Sequence, residues 1–225
     1  MSGMEYQVIY SNRKTIQLAV ERNREVVVRV PFDTSREKIE EIIKKKRLWL
    51  YEKRNHKQKY PQVVPKKEFV NGETLLYLGR HYSLSVVDKK IEGVEFDHRF
   101  YISRANQHQA VELFKRWHMT KALEKITPKA EYLARNLGVK YNTILISDLK
   151  YRWGSCTAKN NLNFNWKIIK APAFVIDYII VHELAHLTES NHGDKFWNII
   201  AVQVPKYIRA KEWLKQNGQI LEEDF

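Results

Sequence analysis

The chain has 225 residues, 44% hydrophobic and 29% charged, with eight glycines and six prolines. That composition excludes collagen-like and wholly disordered chains. Its longest apolar run, Ala171 to Val181, is interrupted by Asp177 and too short to cross a membrane. The first residues, MSGMEYQVIYSNRK, have no apolar core of the signal-peptide kind. The single cysteine, Cys156, allows no internal disulfide, so a cytoplasmic location without membrane attachment is expected.

The net charge is 39 − 26 = +13, and it is concentrated. Between Lys38 and Lys67 eleven basic residues face three acidic ones, a net of +8. Such a block attracts phosphate-rich partners through long-range Coulomb forces; it is also what a solvated lysine-rich helix face looks like.

In chain order, Ile16, Leu18 and Val20 alternate with polar residues and Glu25–Val30 is β-branched, so both predict strands. Pro31 and Asp33 break the run. Ser35 then fits an N-cap, and Ile39, Ile42, Ile43 and Leu50 follow helical spacing in a basic helix over 35–59. Strands are expected at Thr74–Leu78, Tyr82–Val87 and Arg99–Ile102, with turn residues between them, in a small antiparallel sheet. From Asn106 the pattern is helical through Val111, Leu113, Phe114, Trp117 and Leu123. Thr127-Pro128 reads as the start of a second helix that stops at Gly138. Strands are predicted at Ile144–Leu149 and Leu162–Ile169, with Arg152–Cys156 in the loop between them. Pro172 opens a helix, and two more follow. The expected fold is α+β: a basic β-rich module over 1–104, then a helical domain with a small sheet over 105–225.

The informative segment is His182-Glu183-Leu184-Ala185-His186. Two histidines four apart on a helix share a face, with Cβ atoms about 5–6 Å apart. Both imidazoles can then reach one metal ion at about 2.0–2.1 Å. Glu183, turned by about 100° from His182, lies beside the ion. There it serves as general base toward metal-bound water rather than as a ligand. At about 100° per residue, His182, Glu183 and His186 gather on one stripe of an otherwise apolar helix and Asp177 falls opposite. Buried polar groups without partners cost about 1–3 kcal/mol each, and a metal removes that cost. The competing account is a pair of core histidines bonded to carbonyls.

A hydrolytic zinc site needs a third protein ligand. His192 is the best placed, with Asp194 and Glu189 as alternatives and Glu212 distant. The spacing is that of metzincin proteases, but Glu189 stands where they carry Gly. All three methionines (Met1, Met4, Met119) also lie upstream, where no Met-turn can form. The helix is expected to end near Ser190-Asn191, which lets His192 swing back to the ion.

RWGSC (Arg152–Cys156), LNFNWKII (Leu162–Ile169), VHELAHL and NHGDKFW (His192–Trp197) together resemble the YgjP-like family of metal-dependent hydrolases, with a zincin-type metallopeptidase domain. Gly193 stands where that family is expected to carry Ser. The resemblance implies His182, His186 and His192 as ligands of Zn2+ or another divalent transition metal, and Glu183 as the catalytic glutamate. Zincins bind extended substrate along an edge strand, so the resemblance makes the strand carrying Asn163 and Asn165 a substrate rim. Arg152 either binds a substrate carboxylate or phosphate or braces its loop. Cys156 reads as a small buried thiol, not a nucleophile, and Trp153, Trp166 and Trp197 as core or cleft wall.

Three functions follow as expectations. The first is a metallopeptidase-like hydrolase acting on peptides. The second is a nucleoside triphosphate pyrophosphatase of UTP type, proposed within the resembled family, using the same site with Arg152, Lys150 and Lys167. The third is a noncatalytic module that contacts nucleic acid weakly through the basic helix, which has no recognisable nucleic-acid motif behind it.

Overall fold

The computed structural model describes residues 5–20, 25–55, 67–149 and 152–222. Two compact units divide the chain at 64/65. The fold is α+β.

In the first unit, β1 (Tyr6–Ser11) runs parallel to β3 (Val26–Pro31), and β2 (Gln17–Val20) pairs antiparallel on the other side of β3. β1 was not predicted, although Tyr6, Val8 and Tyr10 do alternate with neighbours. The central strand is the apolar one, with Val26, Val28 and Val30 buried. The basic helix is two helices, α1 (Arg36–Lys45) and α2 (Arg47–Asn55), separated at Lys46; residues 56–59 lie outside the described ones. Ser35 caps α1 as expected, its Oγ accepting from the Lys38 amide at 3.4 Å. Ile39, Ile43 and Leu50 are buried against the valines, while Lys44, Lys45, Lys46 and Arg47 are exposed.

The second unit contains both the remaining strands and the helical part, so the sheet expected to belong with the first module belongs here. β4 (Thr74–Tyr77), β5 (Arg80–Val87), β6 (Glu95–Phe96) and β7 (Phe100–Ser103) form a sheet in the order β4-β5-β7-β6. It is mixed, not antiparallel: β5 and β7 are parallel, β6 intervening in sequence but pairing outside β7. Leu75, Tyr77, Leu84, Phe100 and Ile102 join the same buried cluster as the helices, which is why these strands cannot stand as part of a separate module.

The two helices predicted after Asn106 are one, α3 (Ala110–Leu137), following a 3₁₀ turn over Arg104–Gln109. Pro128 lies inside it. The buried positions 118, 122, 126, 130 and 134 keep a spacing of four across the proline. Pro128 itself is exposed, so the carbonyl that loses its amide partner faces water. α3 ends as expected at Gly138, which adopts the left-handed conformation.

β8 (Ile144–Ser147), β9 (Gly154–Cys156) and β10 (Leu162–Asn165) make the third sheet, in the order β8-β10-β9. Two expectations change here. The RWGSC segment is not simply a loop, since its second half is strand β9, antiparallel to β10. The run Leu162–Ile169 is a strand only to Asn165; Asn165 then caps a 3₁₀ helix over Trp166–Lys170 by accepting from the Lys167 amide at 3.1 Å. α4 (Ala173–Ala185), α5 (Asp194–Gln203) and α6 (Tyr207–Glu222) complete the chain.

The start of α4 is fixed from outside. The tight turn between β4 and β5 lays its Leu78 and Gly79 amides on the carbonyls of Ile169 and Lys170, at 2.9 and 2.8 Å. Gly79 has φ +79°, and a Cβ there would stand 2.7 Å from Pro172 Cγ, so only glycine admits this approach.

Candidate metal centre

α4 is buried nearly all round: Val175, Ile176, Tyr178, Ile179, Ile180, Val181, Leu184 and Ala185 are all core. Its one carboxylate on the far face, Asp177, pairs with Lys129 of α3, the face opposite the histidines as the helical register requires. The helix stops earlier than predicted, at Ala185. His186 is its C-cap, and the amides of Leu187, Thr188 and Glu189 bond back to Leu184 and Ala185 in a closing turn. The chain then returns so that His192, just before α5, faces the last turn of α4.

Three imidazoles converge. Ring centroids are 5.0 Å apart for His182 and His186, 5.0 Å for His182 and His192, and 4.8 Å for His186 and His192. One nitrogen from each lies within 4.8 Å of the others. The Nε2 atoms of His182 and His192 are 3.1 Å apart. His186 Nδ1 lies 3.1 Å from the Glu189 carbonyl, which leaves its Nε2 for the cluster. The fully buried Phe196 ring sits 4.6–4.9 Å from all three imidazoles. The Trp197 indole N–H donates to the His192 carbonyl at 3.0 Å. Burial, then the neighbouring histidines and Lys211, push His182 down to about 4, and burial lowers His186.

This donor set fits a metal. Tetrahedral coordination at 2.0–2.1 Å needs ligand nitrogens about 3.4 Å apart. Neutral imidazole is the ligating form, and the Glu189 carbonyl holds the far nitrogen of His186 as an outer partner does. Among the described residues it is the one group of three or more His, Cys, Asp or Glu side chains so placed. Glu189 contributes its main chain only, and Asp194 stands in the first turn of α5 outside the group.

Glu183 is buried, and its carboxylate lies against β9, where the Cys156 amide donates to it. Burial pushes it up to about 7, against the lowering effects of the Arg152 charge and the Cys156 hydrogen bond. A cation on the imidazoles pulls it back toward the ionised form. Arg152 is exposed, near enough for its charge to act on Glu183. Tyr178 is pushed up to about 12 by burial and by Glu183 and Tyr207, so it stays protonated. Trp197 stacks on Tyr207 at 5.5 Å, with Lys211 Nζ 4.0 Å from the Trp197 ring and 6.0 Å from that of Tyr207, forming an aromatic wall on one flank.

The other predicted residues sort differently. Asn163 and Asn165 are on β10, which is the central strand with both edges paired. Its main chain is therefore closed to an extended ligand; β8 and β9 are the edges. Asn165 is 2% exposed. Its Nδ2 donates to the carbonyls of Leu149 and Arg152 at 2.7 and 3.2 Å, and its amide donates to Trp153. It holds the loop into β9. Asn163 is half-buried, opposite Ser155, and its Oδ1 has no hydrogen-bond partner. Cys156 is half-buried rather than buried, with burial and Glu183 raising its thiol, so it is a poor nucleophile. Trp166 is core, whereas Trp153 and Trp197 are half-buried. Lys167 is buried over the Trp166 ring at 5.7 Å, and Lys150 lies outside the described residues. His118 is a fully buried core histidine whose Nδ1 and Nε2 lie 2.7 and 3.2 Å from the carbonyls of Phe114 and Leu76. No local pattern distinguishes it.

Comparison with known proteins defines the class. The chain belongs to the YgjP-like family: the profile of its metallopeptidase domain matches residues 14–217. It is thus a metallopeptidase-type hydrolase, a class that works with a divalent metal. Among solved structures it is similar to the metallopeptidase zymogen abylysin of Pyrococcus abyssi, with 24% identity over 44% of this chain and 98% of that one, TM-score 0.38. It is also similar to the zymogen jannalysin of Methanocaldococcus jannaschii, with 25% identity over 40% of this chain and 96% of that one, TM-score 0.35. No curated protein matches. Among the described residues no helix is long and apolar enough to cross a membrane.

Proposed function

We propose that this protein hydrolyses peptide bonds at a zinc ion held by His182, His186 and His192, with Glu183 as general base. The observation that carries the reading is the convergence of three imidazoles beside one buried carboxylate. Bound there, a divalent ion acidifies water and polarises a carbonyl.

The chain's own groups do the rest. Glu183 would take a proton from water on an Oε atom and hand it to the departing amine nitrogen, burial making the protonated carboxyl accessible while positive charge at the imidazoles keeps the resting group ionised. The Cys156 amide holds that carboxylate in one orientation. Arg152 brings positive charge to the same side, suited to a developing oxyanion or a substrate carboxylate. Phe196 backs the imidazoles from the core, and the half-buried Trp197–Tyr207 stack offers an apolar surface to a substrate side chain. Of the lysines the nucleotide reading invokes, Lys167 is turned into the core and lends it no support.

The test combines elemental analysis with mass-spectrometric detection of new termini in a mixture of unstructured peptides. Glu183→Gln should keep one metal per chain and lose about 10²–10⁴-fold in rate. His182→Ala should lose the metal together with the activity. Full stoichiometry in His182→Ala, or turnover of nucleoside triphosphates but not peptides by the wild type, defeats the proposal.

A further inference from the structure

Gly154 is the second residue of the strand-forming part of RWGSC to bear on Glu183, and it does so by what it lacks. Its φ is outside the left-handed range, unlike Gly72, Gly79, Gly93 and Gly138, so its backbone accepts any residue. The space beside it does not. A Cβ on Gly154 would stand 2.6 Å from Glu183 Oε1, 2.7 Å from Cγ and 2.8 Å from Cδ. Real Cβ atoms do not make such contacts, so one methyl group must displace the glutamate side chain along its length. Two residues on, the Cys156 amide donates to the same carboxylate. The strand therefore grips Glu183 twice, by a hydrogen bond and by close packing on a bare Cα.

The strand is itself held. The Asn165 side chain bonds the carbonyls of Leu149 and Arg152, and the Asn165 amide bonds that of Trp153. The residue leading into Gly154 is thus tied to buried β10. This explains why an arginine-tryptophan-glycine-serine-cysteine run, with no metal ligand of its own, accompanies the histidine motif.

We infer that Gly154 is a positioning residue: by lacking a side chain it seats the general base Glu183 against β9, at the orientation the hydrolytic step needs. The inference rests on the role proposed for Glu183. A base displaced by about 1 Å loses roughly 10²-fold in rate, whereas the imidazoles are carried by the end of α4 and the segment before α5 and not by β9.

The experiment is a cycle of Gly154→Ala, Glu183→Ala and the double variant, read by elemental analysis, by thermal unfolding and by turnover of the peptide mixture. Gly154→Ala should keep one metal per chain, keep KM within about twofold, and lower kcat about 10²-fold. It should lower Tm by about 2–8 °C, the range expected for overpacking a chain of this size. In the Glu183→Ala background the same methyl should cost almost nothing in Tm, because the atoms it strikes are gone. If Gly154→Ala alone fails to fold while the double variant folds, the same conclusion follows. Wild-type turnover in Gly154→Ala, loss of its metal, or an equal Tm penalty in both backgrounds overturns the inference. The thermal arm needs no catalysis, so failure of the peptidase reading appears separately, as a wild type that cleaves nothing while the Tm penalty still disappears with Glu183.

Discussion

Two segments of this chain concentrate polar residues, and the structure treats them in opposite ways. On α1 and α2 the lysines and arginine at 44–47 point into solvent from a helix pair that buries only Ile39, Ile43 and Leu50. At the end of α4, His182, Glu183 and His186 fall within five residues of a mostly buried helix whose other polar side chain, Asp177, pairs with Lys129. Water satisfies the first group at little cost. The second group, with Glu183 buried and His182 and His186 half-buried, is largely withdrawn from water, so its side chains are served by one another, by strand β9 or by an ion. Eleven basic residues therefore say less about function than two histidines and a glutamate.

The contrast can be broken from either side. The largest effect should come from the floor of the centre: Phe196→Ala removes a fully buried ring that touches all three imidazoles, costs about 3–5 kcal/mol, and lowers metal content. Chemical denaturation with elemental analysis checks it, and unchanged metal affinity would mean that the histidines need no packing support.

A smaller effect should come from acid. His118 is held at about 4 by burial, against 6.5 for an ordinary histidine. Its neutral ring suits the fold, and below about pH 6.5 the unfolded chain gains a proton that the folded chain refuses until about pH 4. Stability is thus complete above about 6.5 and falls as pH drops through that window, by at most about 1.4 kcal/mol per pH unit from this group. His118→Leu should flatten that part of the stability curve relative to wild type, the slope from His182 and His186 remaining in both. An unaltered slope would show that the buried ring is already protonated.

The smallest effect belongs to the basic helices. Replacing Lys44, Lys45 and Lys46 together with Gln should move stability within about ±0.5 kcal/mol per residue and leave metal content and peptide turnover alone. A large fall in turnover would give the first unit a part in catalysis that its solvated charges do not suggest.

Local patterns were readable wherever the cause was local. Ser35 caps α1 and Gly138 ends α3, because each satisfies or relaxes backbone within one turn of itself. Pro128 misled, since a proline stops a helix only where its neighbours need the missing bond, and its exposure on α3 depends on which face the rest of the protein buries. The parallel pairing of β5 with β7, and β10's place between β8 and β9, are long-range choices that alternation along one strand cannot encode. For that reason Asn163 and Asn165 read as an edge when they lie at the centre of their sheet.

The amino-acid order alone determined that His182 and His186 share a helical face with Glu183 beside them, because spacings of one and four on a helix are fixed by backbone geometry whatever surrounds it. Only tertiary structure decided that His192 turns back to His182 and His186 after an early helix end, and that Gly154 and Cys156 close on Glu183 from a strand some thirty residues upstream. Contacts between segments far apart in sequence are set by how apolar faces find one another, and no short run of residues carries that information.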